Sequence, residues 1–328
     1  MGGDGSQSLP HRETSSFMAR SLIITANYVV RELELPEPFL RSLRATGSRA
    51  DVVLIANHGS PADKQRLADL MPGARLCVPI PKLRLGIVRR LAAAFPALAS
   101  RAARRLREAW RRHPERRTVI EHRAAYLLNI FCSRFLLARH YLARVADQYD
   151  HVMFADSRDV VFQRDPFEDL PAGLTTGLES GLVRDEPANC SWLQHLYGDD
   201  PNFPMAEVLD QKVICAGVTL GDTATVTAYL DRFCAEIMEK LPRLIHQRYL
   251  DQGVHVGLLR TGQITGARLT SNGEDRIATL CTSDLSEFSI APTGALLAAN
   301  GIPVSIVHQY DRHPEFARKL LDGLLASS

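Results

Sequence analysis

Apolar runs set off by polar turns mark the strands of this chain. Ser21-Leu-Ile-Ile-Thr25 reads as a short buried strand, Asp51–Ala56 as a second and Arg75–Pro79 as a third. Helical patterns fall between them, from Pro38 to Leu43 and from Pro61 to Leu70. Strands alternating with helices at this spacing predict a parallel sheet with crossover helices. A long helix is expected from Glu121 to Asp147, with Leu127, Phe131, Phe135, Leu142 and Val145 facing the core. His151–Ala155 and Val213–Leu220 read as further strands. Asp222 is placed to cap a helix carrying Val226, Leu230, Phe233, Ile237 and Leu241. A helix at Leu250–Leu259 and strands at Ile277–Cys281 and Pro303–Val307 complete the reading. The expectation is a Rossmann-like α/β fold, a mixed but mostly parallel sheet flanked by helices. It would be a single domain over 19–328, behind a loose polar tail over 1–18.

One segment breaks the pattern. Between Lys82 and Arg117 there are twelve basic residues and two acidic ones, Glu108 and Glu115, a net charge of +10. The whole chain of 328 residues carries only +2, so the remainder sums to −8. Val88, Leu91, Phe95, Leu98, Ala102, Leu106 and Trp110 recur at steps of three or four, an amphipathic pattern interrupted near Pro96. Residues 82–117 are therefore expected to form a basic helical insert. It is either a surface hairpin with a solvated arginine face or a contact for an anionic membrane surface.

The near-balanced total charge argues against a general nucleic-acid binder. With 45% apolar residues the chain has enough for a large core, which excludes a disordered or collagen-like chain. No apolar run serves as a spanning helix: Phe288–Val307 is uncharged but carries Pro292, Gly294, Asn300, Gly301 and Pro303. The N-terminus shows no secretion signal. The six cysteines form no C-x-x-C pair and read as reduced structural thiols, pointing to a cytoplasmic protein.

The most informative stretch is His151-Val-Met-Phe-Ala-Asp-Ser-Arg-Asp-Val-Val-Phe-Gln-Arg-Asp-Pro-Phe167. An apolar strand ends and two carboxylates follow at once, Asp156 and Asp159. Ligand sites of open α/β sheets lie at the carboxyl ends of strands. Two carboxylates there can share a hard divalent cation with phosphate oxygens and water. One of them can instead take a ribose hydroxyl, and a turn in which Asp159 caps the next element is the bland alternative. An aspartyl-phosphate phosphatase does not fit, because its carboxylates stand two apart and these stand three apart.

This stretch resembles the metal-binding loop of GT-A fold glycosyltransferases, above all the bacterial and plant branches with Asp-x-Arg-Asp-x-x-Phe-Gln. Four other segments agree in order. Ser21-Leu-Ile-Ile-Thr-Ala-Asn-Tyr28 is similar to the first strand and nucleotide-facing loop. Cys215-Ala-Gly-Val-Thr-Leu-Gly221 is similar to the strand beside the sugar site. Asp251-Gln-Gly-Val-His255 looks like the Asp-Gln helix start. Ile306-Val-His-Gln-Tyr-Asp-Arg-His313 looks like the family's final metal-binding histidine. The family's usual spacing is Asp-x-Asp, and here it is Asp-x-x-Asp.

The resemblance implies a hexosyltransferase-type enzyme that takes a nucleoside-diphosphate sugar and uses Mn²⁺ or Mg²⁺. It implies Asp159 and His308 as metal ligands, and Asp251 and Gln252 as catalytic residues. Asp251 would serve as general base or as a stabiliser of positive charge; N-capping is its other reading. The donor would be held by Thr25, Ala26, Asn27, Tyr28, Arg134, Asp156, Ser157, Arg158, Ala216 and Gly217. Arg134 would either grip a phosphate or snorkel at the helix edge. The acceptor is not named by any residue. A GT-A scaffold without catalysis, kept as a binding or membrane-recruiting module, is the rival expectation, as is a nucleotidyltransferase. The latter lacks a Gly-rich phosphate loop after the first strand.

Overall fold

The computed structural model describes residues 19–27, 34–80, 82–281 and 283–325. The tail expected over 1–18, and Tyr28, lie outside the described residues. The first half of the chain runs β1 (Ser21–Asn27), α1 (Glu37–Ala45), β2 (Asp51–Ala56), α2 (Pro61–Leu70), β3 (Arg75–Cys77), α3 (Lys82–Ala94), α4 (Pro96–Arg112), α5 (Arg117–Leu127), α6 (Ile130–Leu142), β4 (His151–Ala155) and β5 (Val160–Phe162). The second half runs β6 (Leu174–Leu182), α7 (Pro187–Tyr197), α8 (Met205–Leu209), β7 (Lys212–Asp222), α9 (Thr223–Leu244), α10 (Leu250–Arg260), β8 (Ala267–Thr270), β9 (Ile277–Thr279), β10 (Ser289–Ile290), β11 (Leu296–Leu297), β12 (Ile306–His308) and α11 (Pro314–Leu325).

Among the described residues, seven strands form the main sheet in the order β3-β2-β1-β4-β7-β6-β8. β7 alone runs against its neighbours, so the sheet is mixed but mostly parallel. It is flanked by helices, as the alternation of strands and helices predicts, and the fold is compatible with a Rossmann-like one. Its strands are apolar on both faces. Leu22 and Ile24 join Val53 and Ile55 in one core, while Ile23 joins Val52 and Leu54 in the other. Side chains alternate faces along a strand, so a continuous apolar run means cover on both sides. The first core packs beneath α6, α9 and α10; the second lies against α1 and the smaller sheet. That smaller sheet has the order β5-β12-β9, and its outer face meets α11.

The helix expected over Glu121–Asp147 is two helices. Leu128 and Asn129 take extended backbone with ψ of 151° and 171°, and Asn129 accepts a hydrogen bond from the Cys132 N–H at 3.2 Å. The cap satisfies a backbone donor at the start of α6, which makes the break inexpensive. Phe135 and Leu142 are buried as expected, while Leu127 and Phe131 are only partly covered. Asp222 caps α9 as expected, accepting from the Thr225 N–H at 2.8 Å, and Val226, Leu230, Phe233, Ile237 and Leu241 are fully buried. The basic insert forms α3 and α4, broken at Phe95 and Pro96. β6, β8, α7 and α11 have no counterpart in the sequence reading.

Candidate metal centre

β1 and β4 are parallel neighbours with Thr25 beside Ala155, so both strands finish at the same edge of the sheet. The chain leaves β4 through Asp156, Ser157, Arg158 and Asp159 and enters β5 of the smaller sheet. The loop is thus a bridge between two sheets. It is pinned on one side by the Asp156 N–H, which donates to the Gly217 carbonyl at 2.8 Å. On the other side the Gln309 N–H donates to the Asp159 carbonyl at 2.6 Å. Gln309 holds φ of 57°, a left-handed turn immediately after His308.

β12 pairs antiparallel with β5, with His308 opposite Val160. That register brings the buried ring of His308 to the two carboxylates. Its Nε2 lies 3.7 Å from Asp159 Oδ1 and 3.9 Å from Asp156 Oδ2. One ligand atom from each of Asp156, Asp159 and His308 falls within 4.8 Å of the others. This group can hold a metal ion. Burial holds the imidazole below its usual pKa, against the opposing pull of the Asp159 charge, so the ring is neutral. Its Nε2 is buried and, among the described residues, makes no hydrogen bond. A buried polar atom without a partner is costly, and a bound cation would satisfy it. The Nδ1 side meets Cys215 Sγ at 3.3 Å. Burial raises that thiol well above its usual pKa, so it is an uncharged neighbour. In the tautomer whose Nδ1–H is directed at the sulfur, Nε2 presents its lone pair to the carboxylates.

Asp156 had been expected on the donor side. The structure gives it two connections: one oxygen meets the Arg134 guanidinium and the other faces His308. Arg134 sits on α6, and its side chain is 6% exposed. It donates through Nη2 to Asp251 Oδ2 at 3.0 Å and through Nη1 to Asp156. Asp251, in the first turn of α10, is equally buried. Burial raises its carboxyl pKa, and the Arg134 charge opposes that rise. Asp251 is not the N-cap of α10; Tyr249 holds that position with φ of 62°. It anchors Arg134 from beneath.

Gln252 bonds backbone on β7 at both ends of its amide. Its carbonyl accepts from the Ala216 N–H at 2.8 Å and its amide donates to the Ile214 carbonyl at 3.0 Å. It therefore clamps α10 to β7. Ala216 and Gly217 lie on β7 beside the loop. Gly217 faces His308: a Cβ there would lie 2.3 Å from Cε1 and 2.5 Å from Nε2. Thr25 is fully buried with an unpartnered hydroxyl. Ala26 and Asn27 are half-buried, and the Asn27 amide donates to the Glu34 carbonyl at 2.6 Å. Ser157 is buried in the loop. Arg158 is not drawn into the cluster; its side chain is 83% exposed and its carboxylate partner is Asp311 at 3.6 Å.

Two groups of neighbours lie outside the site residues that the sequence implies. Cys215 and Glu179 stand behind His308, with the Glu179 carboxyl hydrogen-bonded to Cys215 and pushed up to about 7, first by burial and then by the Glu186 charge. Phe131, Tyr249 and Trp192 form an aromatic cluster beside Asp251, with ring centroids 4.3 Å apart for Phe131–Tyr249 and 6.2 Å for Trp192–Tyr249. Nothing local in sequence links these residues. Only the positions of Phe131 and Tyr249 near Arg134 and Asp251 would have hinted at them. In comparisons with known proteins, no family model and no curated protein matches this chain.

Proposed function

We propose that the chain is a metal-dependent glycosyltransferase, moving a sugar from a nucleoside-diphosphate sugar to an acceptor hydroxyl. The observation that carries this reading is the Asp156–Asp159–His308 group at the carboxyl end of the parallel strands, with the His308 Nε2 buried and unpartnered. Two carboxylates and a neutral imidazole suit Mn²⁺ or Mg²⁺. The GT-A resemblance of the same loop supports the choice of reaction. When bound, such a cation supplies positive charge against the negative charge that grows on the leaving diphosphate.

The chain's own residues have separable parts in this account. Asp156, Asp159 and His308 hold the cation. Arg134 places a permanent positive charge beside it, oriented by Asp156 and Asp251. Asp251 is a positioning residue, because its exposed fraction is small and its carboxylate is spent on Arg134. Gln252 and Gly217 fix β7 so that the His308 ring has its place.

Release of nucleoside diphosphate from a panel of nucleotide sugars tests the proposal. Turnover with Mn²⁺ or Mg²⁺, abolished by chelation and in His308→Ala, is expected. A folded protein that binds these donors but never turns them over, with any acceptor hydroxyl or with water, would favour the non-catalytic scaffold.

A further inference from the structure

The basic insert gives the molecule a second surface, separate from the metal centre. Between Lys82 and Arg107 there is no acidic residue. α4 buries Ala99, Ala103 and Trp110. Its opposite face carries Leu98, Arg101 and Arg105 at steps of three and four, which one helix face presents together. α3 does the same with Arg84, Ile87 and Leu91, while Leu85 is buried. Between these faces and α5 lies a groove of about 840 Å³ with a mainly apolar floor and arginines at its rim.

The apolar residues on either side of the break between α3 and α4 are exposed: Leu91 by 55%, Phe95 by 54% and Leu98 by 62%. Phe95 and Pro96 form the turn between the helices, and Leu91 and Leu98 lie within one helical turn of it on either side. Large apolar side chains grouped on a surface mark an interaction site. Among the described residues, Arg84, Arg101 and Arg105 have no carboxylate partner, whereas Arg111 and Arg112 pair with Glu239 and Glu108.

We propose that the α3–α4 hairpin docks the protein on an anionic phospholipid bilayer. Leu91, Phe95 and Leu98 enter the boundary between headgroups and acyl chains. Arg84, Arg101 and Arg105 lie against the lipid phosphates. An apolar edge beside unpaired arginines is the arrangement such a surface selects. A second copy of the chain is a poor occupant, because pairing the two faces would set like charge against like. A nucleic acid would use the arginines and leave the apolar tip without a role. The proposal is independent of the transferase reading.

Co-sedimentation with phosphatidylcholine vesicles, with and without phosphatidylglycerol, tests it. The wild-type chain is expected to pellet with the anionic vesicles at low salt, and to be released as salt rises. Each arginine near such a surface is worth about fivefold in partitioning. Arg101→Glu/Arg105→Glu should therefore bind at least about 25-fold more weakly. Leu91→Ser/Phe95→Ser should lose binding while keeping its helical circular dichroism. Failure of the wild type to pellet at low salt would overturn the proposal without any variant. So would equal binding to both vesicle types, a dimer in solution abolished by Leu91→Ser/Phe95→Ser, or tight duplex DNA binding that those two changes leave untouched.

Discussion

The imidazole of His308 fills the space that a side chain at Gly217 would occupy. The two residues are on different sheets, β7 in the main sheet and β12 in the smaller one, and a Cβ at Gly217 would come within 2.3 Å of the ring. The absence of a side chain at this one position is what lets the ring reach Asp156 and Asp159. Gly217→Ala should therefore displace His308 and cost about 1–3 kcal/mol of stability by overpacking. It should also remove metal binding. The paired readout is thermal unfolding with and without Mn²⁺; a variant that loses stability but keeps the full Mn²⁺ response would contradict the assignment of His308.

Metal addition alone makes a prediction for the wild type. A ligand that binds only the folded state at a hundred times its dissociation constant stabilises by about 2.7 kcal/mol. Mn²⁺ should raise the melting temperature of the wild type and leave His308→Ala and Asp159→Ala unchanged. Asp156→Asn should keep part of the response, since its other oxygen is engaged by Arg134.

Arg134 and Asp251 form a buried pair from elements 117 residues apart. Removing Arg134 leaves Asp251 as a buried carboxyl without its partner, which costs about 3–5 kcal/mol, whereas removing Asp251 leaves Arg134 its contact with Asp156. Arg134→Ala should therefore be severely destabilising in urea unfolding. Asp251→Asn should be milder, because burial already favours its uncharged form. The double variant should recover about 1–3 kcal/mol relative to the sum of the two. Additivity would show that the contact is not energetically real.

Glu179 predicts a pH dependence of stability. Burial raises its carboxyl from 4.5 to about 7, so the folded state holds a proton that the unfolded chain gives up more readily. The stability from this group is complete below pH 4.5 and is lost as pH rises through 7. The difference is about 3 kcal/mol at roughly 1.4 kcal/mol per unit. Glu179→Gln keeps the uncharged shape and should be more stable than wild type at pH 8, with the advantage gone at pH 4. The buried His255, pushed down to about 3 mainly by desolvation, works in the opposite direction below pH 6.5. The comparison between variant and wild type therefore isolates Glu179, and a constant difference across this range would count against a buried protonated carboxyl.

How far the molecule was legible in its sequence follows from what each element relies on. β1, β2, β4 and β7 show as apolar runs because both faces of the sheet are covered. β6 does not, since Leu174-Thr-Thr-Gly-Leu-Glu-Ser-Gly-Leu182 owes its extended form to pairing with β7 and β8, with register shifts along the way. The break after Leu127 rests on one capping side chain, Asn129, whose amide also reaches the Gln247 carbonyl, a partner invisible locally. Asp156 and Asp159 were legible because they end a strand. The Cys215–His308 and Arg134–Asp251 contacts span 93 and 117 residues, and only the folded sheet order brings them together. The amphipathic stripe of the insert was legible as a pattern, but which of its apolar residues pack inward (Trp110) and which face outward (Leu91, Phe95 and Leu98) depends on the helices it packs against.

The central claim is that Asp156, Asp159 and His308 bind a divalent cation that recruits a nucleoside diphosphate. Calorimetric titration of UDP, GDP, CDP and dTDP tests it most directly, each with and without Mn²⁺, on wild type and Asp159→Ala. The account predicts that one nucleotide binds only with Mn²⁺, and that Asp159→Ala abolishes the binding. No binding of any of the four by a folded wild type in the presence of Mn²⁺ would contradict it.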